Sequence, residues 1–238
     1  MTKRLVVTRA EPDASRTAGR IRARGGVALV APMLIVEPIA GASITCDETQ
    51  ALIFTSAAGV RAFAALGGAS TRPALCVGEA TAEAARQAGF TDVQSADGDG
   101  AALAAFIAAT CDPAAGPLLH ICGEHLAFDL AAALAPHGFS VERRVLYRAR
   151  TADALPAALI AALSAAPPNL DAVLFHSARG AAAFRALTQS AAPSAFAALD
   201  AICLSSAVAA AAGESRWRAV RIAAHPNDDA LLDAAFAA

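Results

Sequence analysis

This 238-residue sequence predicts an α/β protein of two similar lobes, each a parallel sheet flanked by helices, joined by two extended linkers. Three observations carry that prediction. Short β-prone runs alternate with alanine-rich helical stretches, the pattern of βαβ units and a parallel sheet. The second half repeats the first: Phe54, Ser56, Gly59 and Phe63 recur as Phe175, Ser177, Gly180 and Phe184, all offset by 121 positions (175 − 54). Repetition of supersecondary units at one spacing points to duplication. Two extended segments, residues 32–38 and 145–149, lie at matching places in the two halves. Such segments suit connections between domains.

The elements follow in order. Residues 4–8 read as a strand, residues 12–24 as a helix stopped by Gly25 and Gly26, and residues 27–30 as the next strand. Residues 51–54 form a buried strand, Thr55 and Ser56 a turn with helix-capping chemistry, and residues 57–66 a helix. Residues 74–77 are a strand, Gly78 a turn, and residues 80–88 a helix ended by Gly89. In the second half, a strand at 118–121, a helix at 126–134 and a strand from Phe139 echo residues 5–30. Residues 172–184 echo 51–63, and 201–206 echo 75–78 more faintly. Alanine-rich units resemble one another by composition alone, but three units recurring in the same order favour duplication.

Composition narrows the function. Hydrophobic residues make up 56% of the chain and charged residues 17%, which excludes a disordered protein. No apolar stretch reaches the ~18 residues that span a bilayer; the closest, residues 201–213, holds Ser205 and Ser206. The start runs from Lys3 and Arg4 straight into a strand, so no signal peptide is visible and a cytoplasmic protein with no membrane contact is expected. A net charge of -2 weighs against nucleic-acid binding. The five cysteines form no CxxC pair and read as reduced, mostly buried residues. The five histidines show no metal-ligand spacing, so no metal site is expected. His176 follows a strand and is placed to line a site; the others read as surface or loop residues. The P-loop, GxSxG and GxGxxG signatures are missing, and Gly98-Asp99-Gly100 follows no clear strand.

What recurs is a small hydroxyl where a strand leads into a helix: Thr8, Thr55 with Ser56, Thr81, Ser177, and Ser205 with Ser206. Ligands of open parallel sheets bind beyond the carboxyl ends of the strands. Helix N-termini there offer free N–H groups and a positive dipole end, which suit carboxylate or phosphate. Two such lobes facing each other would make an anion-binding cleft. The same hydroxyls are also the preferred helix caps. Arg9, Arg61, Arg148 and Arg179 lie close to these turns and are able to pair with anions. Tyr147, the only tyrosine, sits in one of the extended segments, where a phenol would serve as hydrogen-bond donor or general acid, or simply pack.

Residues 6–9, residues 52–56, Val77-Gly78 with Thr81-Ala82-Glu83, Gly123-Glu124 with Asp129, residues 145–148, and Phe175 with Ser177 follow one another in an order that resembles uroporphyrinogen-III synthases, over residues 5–232. The resemblance implies two flavodoxin-like lobes with interleaved connectivity: residues 1–35 plus 152–238 in one, residues 39–146 in the other, and linkers at about 36–38 and 147–151. It implies a cofactor-free lyase of tetrapyrrole biosynthesis that cyclises hydroxymethylbilane to uroporphyrinogen III, inverting ring D with loss of water. The protein's task would be positional, bringing the substituted carbon of ring D nearest to the electrophilic azafulvene. The resemblance assigns the acid that expels the leaving hydroxyl to Tyr147. It assigns substrate contacts to Thr55, Ser56, Thr81, Ser177, Ser205 and Ser206, and these join Arg9, Gly78 and Arg148 as candidate binding residues. Cys203-Leu204, Phe128, Ala58 and His176 depart from the family pattern. A transient meeting with the upstream deaminase would protect an unstable substrate, and nothing in the sequence demands more than a monomer. Two alternatives remain at this point, a non-catalytic anion-binding sensor and a degenerate synthase-like domain.

Overall fold

A computed structural model describes residues 2–46, 48–68, 71–165, 168–213 and 216–237. The first half runs β1 (Arg4–Val7), α1 (Asp13–Ala23), β2 (Val27–Val30), β3 (Leu34–Pro38), β4 (Ala51–Phe54), α2 (Ala57–Ala65), β5 (Ala74–Cys76), α3 (Glu79–Gln87), β6 (Val93–Ser95) and α4 (Gly100–Thr110). The second runs β7 (Leu118–Gly123), α5 (Leu130–Leu134), β8 (Val141–Thr151), α6 (Ala157–Ser164), β9 (Ala172–Phe175), α7 (Ala178–Ala191), β10 (Asp200–Cys203), α8 (Ser206–Ala212), β11 (Ala219–Ile222) and α9 (Asp228–Phe236). The chain divides into two compact units, Met1–Ile35 with Arg150–Ala238, and Val36–Ala149.

The first unit holds a parallel five-stranded sheet ordered β2-β1-β9-β10-β11. In chain order this is 2-1-3-4-5, the flavodoxin-like arrangement. Its central strands carry apolar side chains on both faces, as parallel strands covered on both sides must. Helices α6, α7 and α8 pack on Val6, Val173, Phe175 and Cys203, while α1 and α9 pack on Leu5, Val7, Leu174 and Ile202. Trp217, the only tryptophan of the chain, stands edge-on to Phe175 and Phe196 at centroid distances of 5.5 and 5.0 Å.

The second unit repeats the arrangement. Strands β8, β7, β4, β5 and β6 are parallel neighbours in that order, standing where β2, β1, β9, β10 and β11 stand in the first. The chain enters these five parallel strands at the middle one, β4, so the same layout is traced from a different starting point. Helices α2 and α3 cover one face and α4 and α5 the other. Strand β3 adds to the edge beside β8. The Ile39 amide donates to the Leu146 carbonyl at 2.9 Å and Ala152 to Met33 at 3.0 Å, so this pair runs antiparallel. The sequence repeat has a direct structural counterpart: Phe54 meets Phe63 edge-on at 5.9 Å, and Phe175 meets Phe184 in the same way at 5.4 Å.

Two expectations are corrected. The helix expected over residues 126–134 begins at Leu130, because the Asp129 carboxylate accepts the Ala132 amide at 3.1 Å and caps it there. A strand, β6, does precede Gly98-Asp99-Gly100; with only three residues, two of them Gln94 and Ser95, it shows no apolar pattern. Asp99 then caps α4 by accepting the Ala101 and Ala102 amides, both at 3.0 Å.

Candidate active site

Helices leave β4 and β7 toward opposite faces of the second unit's sheet, which makes the pair a topological switch point where open sheets bind ligands. Strand β4 ends at Thr55 and Ser56. Ser56 is the N-cap of α2, with its Oγ accepting the Gly59 amide at 3.2 Å. The same Oγ lies 2.7 Å from the Tyr147 hydroxyl. Tyr147 reaches this position through an irregularity in the β7–β8 ladder: Cys122 faces Val145 but Gly123 faces Tyr147, so Leu146 is the extra residue. Bulges of this kind re-aim side chains beside active sites. Gly123 is required there, since a Cβ would stand 2.8 Å from Cε2 and Cζ of the Tyr147 ring. Burial raises the Tyr147 pKa against the opposing Ser56 hydrogen bond, so the phenol is protonated at neutral pH and able to donate.

Thr55 Oγ1 lies 3.2 Å from Nε2 of His120. The sequence suggests a surface or loop position for His120, but it is on β7 and 2% exposed. Burial, helped by the charge of Arg143 and opposed by Asp129, pushes its pKa down to about 4, so the imidazole is neutral. Gly78 caps α3 with extended backbone. Thr81 lies inside the first turn of that helix rather than at the strand end, and is 5% exposed. Arg148 is tied to Glu37 at 3.0 Å.

In the first unit, Ser177 caps α7 and accepts the Gly180 amide at 3.1 Å, while Ser205 caps α8 and accepts the Val208 amide at 3.4 Å. That cap forms although Cys203-Leu204 departs from the family pattern. Ser206 follows as an exposed first residue of α8. Thr8 is not a site hydroxyl: it is buried, and it donates to the Leu174 carbonyl at 2.7 Å, tying β1 to β9. Arg9 is held between Asp13 at 3.7 Å and Asp228 at 3.4 Å. Asp228 also accepts from Arg20 at 2.8 Å and stands 2.8 Å from Nε2 of His176. Burial raises the Asp228 pKa, but the His176 hydrogen bond and the charges around it outweigh burial and bring it to about 2. Burial lowers that of His176 against the opposing Asp228 bond.

In the second unit the structure therefore brings Thr55, Ser56 and Tyr147 together and adds His120 and Arg143; in the first unit it gathers Arg9 and His176 on Asp228. Sequence reading passes over His120, Arg143 and Asp228 in these roles. Apolar neighbours on β7 disguise His120. Arg143 lies four residues before Tyr147, but the extra residue Leu146 between them breaks the alternation of faces, so strand parity gives no signal for it.

Two switch-point sheets in one chain, each with capped helix N-termini at its carboxyl edge, define a doubly wound α/β protein of the kind that binds ligands at that edge. The chain belongs to the uroporphyrinogen-III synthase family: residues 15–233 match the family model described as uroporphyrinogen-III synthase HemD. Members are cyclising lyases of heme biosynthesis that act on hydroxymethylbilane. The fold is similar to that of uroporphyrinogen-III synthetase from Helicobacter pylori 26695, with TM-score 0.66 and 18% identity over 98% of this chain and 97% of that one. It is also similar to a mutant uroporphyrinogen III synthase from the extremely thermophilic bacterium Thermus thermophilus, with TM-score 0.51 and 18% identity over 98% and 96% of the two chains. No curated protein sequence matches significantly. No helix among the described residues is long and apolar enough to cross a membrane.

Proposed function

We propose that this chain converts hydroxymethylbilane to uroporphyrinogen III, with Tyr147 as the proton donor and the capped helix ends as the substrate's anchors. The observation that carries the reading is the Ser56–Tyr147 pair at 2.7 Å at the switch point of the second unit. The phenol has a proton to give to the departing hydroxyl, and Ser56, whose oxygen is held by the Gly59 amide, fixes where that phenol points. Expelling water leaves an azafulvene; attack by the substituted carbon of ring D, then fragmentation and recombination, inverts that ring. The remaining work is positional.

Thr55, Ser56, Gly78 and Thr81 in one unit, Arg9, Ser177, Ser205 and Ser206 in the other, and Arg148 are proposed as the substrate-binding residues. Ser177 and Ser205 each use a lone pair on the helix amide, which leaves the O–H proton for a substrate carboxylate, whereas the Ser56 proton goes to the Tyr147 oxygen and leaves the phenol proton for the departing hydroxyl. The segments 36–38 and 147–151 are proposed as the linkers between domains. A cytoplasmic monomer that meets the upstream deaminase transiently is part of the reading. It is supported by the absence of disulfides among the described cysteines and by the small number of exposed large hydrophobics among the described residues, namely Val27, Leu66, Ile160 and Ile222.

The test supplies porphobilinogen and its deaminase, adds the protein, oxidises the products and measures isomer III against isomer I. A ratio unchanged by the protein rejects the function. Tyr147→Phe is expected to slow turnover on the order of 10²-fold while isomer III remains the product; an unaltered rate rejects the acid role.

A further inference from the structure

We propose that Arg143 is a further substrate-binding residue, a fixed guanidinium that anchors one carboxylate of the polyanionic substrate beside Tyr147. The inference rests on the synthase reading above. Arg143 leaves β8 four residues before Tyr147, and its head group is fastened to the end of β7. Nη2 donates to the Gly123 carbonyl at 3.0 Å and to the Glu124 carbonyl at 2.6 Å, and Nε donates to Cys122 Sγ at 3.2 Å. Gly123 is the residue against which the Tyr147 ring lies. On the other side Arg143 acts electrostatically on His120, which bonds Thr55, which precedes the Ser56 that bonds Tyr147. Arg143 thus closes a ring of contacts around the carboxyl ends of β4 and β7.

Its charge is also uncompensated. Of the four candidate cations read from the sequence, Arg9 and Arg148 are each held by carboxylates. Arg143 has only neutral partners among the described residues: two carbonyls and a thiol that burial keeps protonated. Nη1 has no hydrogen-bond partner among them, and the residue is exposed. A guanidinium on an exposed residue, fixed through Nε and Nη2, loses little freedom when it takes up a carboxylate. Like charge in this position also disfavours protonation of His120, which keeps the imidazole beside Thr55 neutral.

Arg143→Gln tests this in the full chain with the deaminase-coupled assay. The expected result is a KM raised on the order of ten-fold with kcat within about two-fold of the wild type. The KM of the variant should also rise less steeply with salt than that of the wild type. Arg143→Lys keeps the charge but loses the fork, and is expected to raise KM several-fold. A KM within about two-fold of wild type in both variants overturns the proposal. So does a loss of activity with an unaltered salt slope, which marks a purely structural role. Failure of the wild type itself to raise the proportion of isomer III overturns the synthase reading and the anchor with it, and this is read separately from the variants' KM.

Discussion

Replacing Asp228 with asparagine should destabilise the unit formed by residues 1–35 and 150–238 by about 2 kcal/mol at neutral pH, and the penalty should fade in acid. The carboxyl moves from an ordinary value of 3.8 to about 2 in the folded protein. Each pKa unit corresponds to ~1.36 kcal/mol of differential interaction, so a shift of nearly two units gives about 2 kcal/mol. The side chain is 17% exposed, so solvent screens the interaction only in part. Because the folded value is the lower one, the stabilisation is complete above the unfolded value and is lost as pH falls from about 4 toward about 2. Urea unfolding followed by the fluorescence of Trp217, which lies in the core of this unit, measures the difference between wild type and variant at each pH. A difference under about 0.5 kcal/mol at pH 7 would refute the reasoning, as would one that fails to shrink by about pH 3.

Two further outcomes follow from the second unit. Gly123→Ala should displace the Tyr147 ring, since its Cβ would lie 2.8 Å from two ring carbons. Its turnover should fall to that of Tyr147→Phe, and the double variant should be no slower than either, as double-mutant kinetics will show. His120, held at about 4 against an unfolded value of 6.5, stays neutral while the unfolded chain takes up a proton. The unit spanning residues 36–149 should therefore lose about 3 kcal/mol as pH falls from about 7 to about 4. Amide exchange in β7 will detect this, and His120→Asn should abolish the pH-dependent part.

The layout of the fold is legible because parallel strands buried on both faces are written as short apolar runs, and because caps are local. Ser56, Ser177 and Ser205 each bond an amide three residues on, so sequence alone locates them. The same locality explains why the repeat can be read through Phe54–Phe63 and Phe175–Phe184. The charges behave differently. Arg9 meets Asp228 across 219 positions and Arg148 meets Glu37 across 111, and no pattern along the chain announces either partner. His120 is hidden for the opposite reason: it occupies one place in a six-residue strand that is otherwise apolar, and only the fold shows that it faces Thr55.

The pairing of β1 has a consequence for how the polypeptide is made. One neighbour, β2, emerges from the ribosome 23 residues later (Leu5 to Ala28), but the other, β9, is 167 positions away (Leu5 to Ala172). The segment from 36 to 149 contains all five parallel strands of its own sheet and can complete them while synthesis continues. The amino-terminal strand must wait, half-paired, until the rest of its sheet is translated. Truncations before β9 should therefore leave a folded middle portion carrying an unfinished amino-terminal arm.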